Sequence, residues 1–336
     1  MTTDLTAPPA RPGPGLLAAL GWTAVLAAVN LGTGFALVHG AAWFGYEVEF
    51  VWRLAVVKAV EFAMAVGIVV FCYGPASRRI LALRGLHVRQ GVLTVLLLPP
   101  LLVVAVECRA LAEELLCWLD LMPEREVTMT VLRATAATPW LVGLVAVAVL
   151  PALGEETFFR GFIGRGLVGR LGVLAGVLLT ALLFAAIHLN PLQGAAAFVF
   201  GLGLHAVLLS TKSLLAPLLL HLLLNGLIFM LFRSSGPAPA PAGEAAPAAA
   251  EVVRHLSPLL VGSALIVLAA VGMLLYETRT RWLLPDGRPW EPGSLTPEMP
   301  PPELHASPHS GTPRPRTMIL GMAAYLLFGF ILVRGG

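Results

Sequence analysis

The sequence predicts an all-α, polytopic membrane bundle of about nine transmembrane helices. Three observations carry that expectation. Of 336 residues, 57% are hydrophobic and 12% charged, where a soluble domain carries about 25% charge. Mean hydropathy is +0.84. Apolar runs long enough to cross a bilayer recur from Gly15 to Val333, separated by short polar or proline-rich links.

The chain divides into a disordered N-terminal tail (1–14), N-terminal spans with an acidic interfacial segment (15–138), a catalytic core (139–232), an Ala/Pro linker (233–256) and C-terminal spans (257–336). Span 1, about 15–38, is too long for the apolar region of a cleavable signal peptide. In span 2, about 54–73, Lys58 and Glu61 stand three apart and read as a structural ion pair snorkelling near the interface. The following loop carries Arg78, Arg79, Arg84 and Arg89 without an acid, which places it and the N-terminus on the cytoplasmic side. Span 3, about 91–106, is interrupted by Pro99-Pro100, a kink that a bundle tolerates. The acidic stretch 107–138 is expected to hold an interfacial helix around Ala110–Leu121.

Spans 4 and 5 are expected to form a hairpin turning at Leu171-Gly172. Glu155 lies sixteen residues before Leu171, and His188 sixteen after Gly172. At about 1.5 Å per residue the two side chains reach the same height. Spans 6 (about 194–209) and 7 (about 214–232) follow across the link Ser210–Ser213. Positions 234–250 hold four prolines and eight alanines, a linker composition. Span 8 (about 257–276) and span 9 (about 318–333) flank a stretch, 285–315, with ten prolines, expected to be disordered.

Composition also excludes several classes. Cys72, Cys108 and Cys117 have no CxxC spacing, which argues against a disulfide framework or a thiolate metal site. A net charge of +3 spread over many loops does not suggest nucleic-acid binding. Two lysines against twenty arginines, with abundant Ala, Gly and Pro, point to a high-GC bacterial genome and a multi-pass protein of the bacterial inner membrane.

The chemistry concentrates at Pro151–Arg160. Glu155 and Glu156 stand at the end of an apolar run, where a charge costs roughly 2.5–3.5 kcal/mol and ionisable groups tend to be functional. Glu156 and Arg160 are four apart and can pair on one helix face, while Glu155 points about 100° away with no local cation. Phe184 and His188 share a face in the next apolar run, as do His221 and Asn225 in a later one. Peptide hydrolysis needs an activated water and donors for the developing oxyanion. A desolvated Glu155 can serve as general base with His188 beside it, and His221 and Asn225 can aim N–H groups at the oxyanion. Taken singly, Asn30 or His205 reads as a bundle-stabilising polar residue, Phe158, Phe159 and Phe184 as packing residues, and Gly161, Gly164, Gly166 and Gly169 as close-packing positions.

E-E-x-x-x-R, F-x-x-x-H and H-x-x-x-N, in order and in successive apolar contexts, resemble the CPBP family of intramembrane proteases. That family includes the type II CAAX prenyl endopeptidases and bacterial bacteriocin-processing and self-immunity proteins. The resemblance covers about 140–232 and implies the same roles. Glu155, His188, His221 and Asn225 match the catalytic positions, and Glu156 and Arg160 the supporting ones. It implies an endopeptidase acting on a membrane-anchored protein or peptide within the lipid bilayer. No cofactor is required in this scheme. The alternative is a zinc ion held by Glu155, His188 and His221, although no H-E-x-x-H is present. The competing classes are a proton-coupled transporter and a catalytically silent immunity or scaffold protein.

Overall fold

A computed structural model describes residues 13–122, 138–234, 255–289, 305–307 and 311–334. The chain is a helical bundle. Its long helices are α1 (Leu16–Trp43), α2 (Phe50–Tyr73), α3 (Val88–Trp118), α4 (Trp140–Ala186), α5 (Pro191–Thr211), α6 (Leu215–Ser234), α7 (Pro258–Glu277) and α8 (Pro315–Val333). Among the described residues, seven are long and apolar enough to cross a membrane. The expectation of about nine differs in two places. The run Trp140–Ala186 counts once, and the apolar part of α6, Leu215–Leu231, falls short of the length needed.

That long run does not continue straight. Gly172 has φ 81° and ψ 170°, a conformation essentially confined to glycine. A Cβ on Gly176 would lie 2.4 Å from the Cα of Val168. Eight residues of straight helix span about 12 Å, so contact between these positions means that α4 folds back on itself. The reversal falls at the predicted turn.

Burial sorts the helices. Over the apolar part of α5, 56% of residues are inside the bundle, against 17% for α1. Helix α5 is central and α1 peripheral, with outward side chains such as Leu17 and Phe35 exposed on its surface. The core contains Leu101, Phe158, Phe159, Phe184, Phe200, Leu204 and Leu220, which brings α3, both arms of α4, α5 and α6 together. Asn190 begins α5 by accepting from the N–H groups of Leu192 and Gln193 at 3.0 and 3.1 Å, with Pro191 at the first helical position.

Two expectations are corrected. The acidic residues Glu107, Glu113 and Glu114 lie on α3 itself, which continues to Trp118, so no separate interfacial helix forms over 110–121. Glu114 is 65% exposed, while Glu107 and Glu113 are 15% and 16% exposed, Glu107 accepting from His255 Nδ1 and the N–H of Leu256. Helix α3 is interrupted at Leu97, two residues before Pro99-Pro100. Within the proline-rich loop, Trp282–Leu283 pairs antiparallel with His305–Ala306. That part is ordered, and His305 is a strand residue. His309, most of the Ala/Pro linker and the tail 1–12 lie outside the described residues.

Candidate active site

The first arm of α4 departs from α-helical winding on both sides of Leu150–Glu155. Val145–Val149 and Glu156–Ile163 are π-helical. Pro151 has no N–H, and its ring would strike the carbonyl four residues earlier, so a widened turn before it relieves the clash. The second widened turn begins at Glu156. Such turns concentrate at functional sites. Gly154 sits where α4 meets α2, since a Cβ there would lie 3.3 Å from the backbone nitrogen of Phe62.

Glu156 and Arg160 pair as expected from their spacing. Arg160 Nη1 donates to Glu156 Oε1 at 3.0 Å, and Nη2 donates to the carbonyl of Gly201 on α5 at 3.2 Å. Both side chains are wholly buried. The guanidinium also lies 4.4 Å from the centre of the Phe184 ring. Arg160 thereby ties the two arms of α4 to the central helix.

His221 enters from α6. Its Nδ1 lies 2.7 Å from Glu156 Oε1, and its Nε2 lies 3.8 Å from Glu155 Oε2. A carboxylate only accepts, so Nδ1 carries a proton and Nε2 is the nitrogen turned toward Glu155. His188 lies in the turn between the second arm of α4 and α5. Its Nδ1 donates to the carbonyl of Phe184 at 2.9 Å, which leaves Nε2 as the open nitrogen. The Phe184 ring stands edge-on to both histidines, 5.2 Å from His188 and 5.9 Å from His221. His188 is within electrostatic range of Glu155 and His221. Asn225 is half-buried one turn beyond His221.

The five residues Glu155, Glu156, Arg160, His188 and His221 therefore converge around Phe184. Asn225 is adjacent on the same helix as His221, outside the hydrogen-bonded network described for the others. Phe184 is more than packing, because it separates the two imidazoles and stacks on Arg160.

One partner of Glu155 escaped the sequence reading. Lys58 on α2 donates to Glu155 Oε1 at 2.8 Å and to Glu61 Oε2 at 2.8 Å. Glu155 is thus 3% exposed and held by a cation, not left bare. Lys58 does not snorkel to the interface; its side chain is 17% exposed. The three-residue spacing to Glu61 was visible, while the second contact spans 97 positions. His205, read as structural, is wholly buried, and among the described residues neither ring nitrogen has a hydrogen-bond partner.

Among the described residues, no three His, Cys, Asp or Glu side chains are grouped to hold one metal ion. Glu155 Oε1 is engaged by Lys58 and His221 Nδ1 by Glu156.

Residues 136–227 match a family model, that of type II CAAX prenyl endopeptidases, Rce1-like. This segment is similar to that family. It contains all seven residues fixed by the three motifs, and it coincides with the stretch of α4, α5 and α6 that builds the buried cluster. No curated protein matches the chain, and no solved structure does. The apolar helices point to a multi-pass membrane protein, and residues 136–227 are similar to the type II CAAX prenyl endopeptidases.

Proposed function

We propose that this protein is an intramembrane endopeptidase that hydrolyses a peptide bond in a membrane-associated or lipid-anchored substrate. The supporting observation is the facing pair Glu155 Oε2 and His221 Nε2, 3.8 Å apart in the buried centre of the Rce1-like segment. Such a separation suits a tetrahedral centre with its attacking oxygen on the glutamate side and its carbonyl oxygen on the histidine side.

In this scheme Glu155 and the open Nε2 of His188 hold a water. Glu155 takes a proton as the water oxygen attacks the carbonyl carbon. His221, held at Nδ1 by Glu156, turns Nε2 to the oxyanion as a donor, and Asn225 supplies a second donor. One such donor contributes about 3–4 kcal/mol to transition-state stabilisation. The C–N bond then breaks, and the proton held by Glu155 passes to the departing amine. Glu156, fixed by Arg160, keeps His221 oriented, as the carboxylate does in other acid–histidine arrangements. Removal of water from the site by the surrounding helices strengthens each of these interactions.

The scheme requires no metal. Its composition supports a location in the bacterial inner membrane, and in this reading the substrate is a membrane-anchored protein or peptide. Family members act on prenylated CAAX ends, and a peptide or leader sequence fits the same chemistry. The test is a reconstituted cleavage assay with a panel of membrane-anchored substrates, products read by mass spectrometry. Glu155→Gln should abolish cleavage without unfolding the protein. Near-normal turnover by that variant would overturn the assignment.

A further inference from the structure

Glu155 is one of two carboxylates in a connected buried chain that reaches two helices away from the Rce1-like segment. Lys58 Nζ donates to Glu155 Oε1 and Glu61 Oε2, each at 2.8 Å. Glu61 Oε2 also accepts from Asn30 Nδ2 on α1 at 2.9 Å. Asn30, Glu61, Lys58 and Glu155 therefore link α1, α2 and α4 in series. Glu61 is wholly buried.

The terminal torsion of a glutamate is broad and nearly two-fold, so a carboxylate left to itself rotates freely about it. A hydrogen-bonded ammonium on one oxygen removes that freedom. With Oε1 engaged by Lys58, Oε2 is the oxygen turned toward His221 Nε2. Lys58 is in turn held by Glu61, and Glu61 by Asn30. The close approach of α4 to α2 at Gly154 brings the two ends of this chain within reach, since a Cβ there would lie 3.5 Å from Glu61 Cγ.

We propose that Lys58 is a positioning residue for the hydrolysis, orienting Glu155 from outside the Rce1-like segment through its paired contacts with Glu155 and Glu61. The inference rests on Glu155 being the base. Lys58 touches neither water nor substrate in this assignment. Its function is to hold one carboxylate oxygen so that the other faces the reacting atoms.

A merely structural Lys58 would neutralise Glu61, and the two readings separate in a double variant. Lys58→Met with Glu61→Leu removes one positive and one negative charge together, leaving the cluster's net charge unchanged. The expected result is a folded protein whose kcat falls about 100-fold with KM within about twofold, as for a misoriented catalytic group. Glu61→Gln alone, which leaves Lys58 on Glu155, should lose less than about tenfold in kcat. Wild-type kcat in the double variant would overturn the proposal, as would a change confined to KM. A double variant that fails to fold would make the pair a fold-stabilising one and overturn it equally. If Glu155→Gln is inactive while the double variant is fully active, only the Lys58 assignment fails. If Glu155→Gln is itself active, the underlying reading fails first.

Discussion

His221 Nδ1 stands 2.7 Å from Glu156 Oε1, and the same oxygen accepts from Arg160 at 3.0 Å. One carboxylate oxygen thus joins a helix-local pair to a histidine 65 positions away. The second glutamate of the motif holds Nδ1 of His221, and its neighbour Glu155 faces the other imidazole nitrogen.

Glu156→Gln should therefore damage both fold and turnover. Arg160 would remain wholly buried without its counter-charge, and breaking such a pair costs about 3–5 kcal/mol. The folded fraction should lose about 100-fold or more in kcat, because His221 is released from its orientation. Thermal unfolding in detergent and a cleavage assay on the folded fraction separate the two losses.

Gly172→Ala should destabilise the hairpin by about 1–3 kcal/mol through backbone conformation alone. No atom lies within 4 Å of a Cβ built there, while its φ of 81° is strained for any residue with a side chain. Gly176→Ala, whose Cβ would meet the Val168 backbone, should cost more. The order of the two unfolding midpoints checks this.

Lys212 predicts a pH dependence of stability. It caps α5 in a left-handed conformation with φ 54° and is 2% exposed. Burial, followed by the nearby Arg84, Arg165 and Arg279, pushes its pKa from 10.5 to about 7. The unfolded chain then binds more protons than the folded one between about pH 7 and 10.5, so stability rises with pH across that window. As pH falls toward 7 the contribution is lost, and below 7 it no longer changes. Lys212→Asn, which tolerates the left-handed backbone, should flatten the slope. Unfolding midpoints of both proteins between pH 7 and 10 measure it.

Exhaustive chelation should leave kcat/KM unchanged, with zinc well below one equivalent in the purified protein. Activity that disappears with a chelator and returns with stoichiometric zinc would replace the water-activation scheme by a metal-assisted one. Glu155, His188 and His221 would still mark the site.

Local physics was legible in the chain. The apolar runs announced a helical membrane bundle, because a bilayer leaves few alternatives for satisfying backbone hydrogen bonds. The four-residue spacing of Glu156 and Arg160 forecast their contact, because neighbours on one helix face meet whatever the tertiary packing does. The reversal at Gly172 was readable from hairpin geometry and confirmed by a backbone that only glycine adopts comfortably. The extent of α3 was misread because acidic residues lower the averaged hydropathy of its last turns, while Glu107 and Glu113 are largely covered by contacts that the average does not record.

What the tertiary structure alone decided is which groups meet across helices. Lys58 had a visible partner three residues away, and sequence offered no reason to seek a second one 97 positions on. Only the approach of α2 to α4 at Gly154 created it. Likewise, the sequence determined that His221 and Asn225 share a face, but not that His221 would turn Nδ1 to Glu156 and Nε2 to Glu155. Spacing along one helix is set by covalent geometry and local hydrogen bonds. Contacts between helices depend on how buried side chains pack, and a short-range pattern carries no record of that.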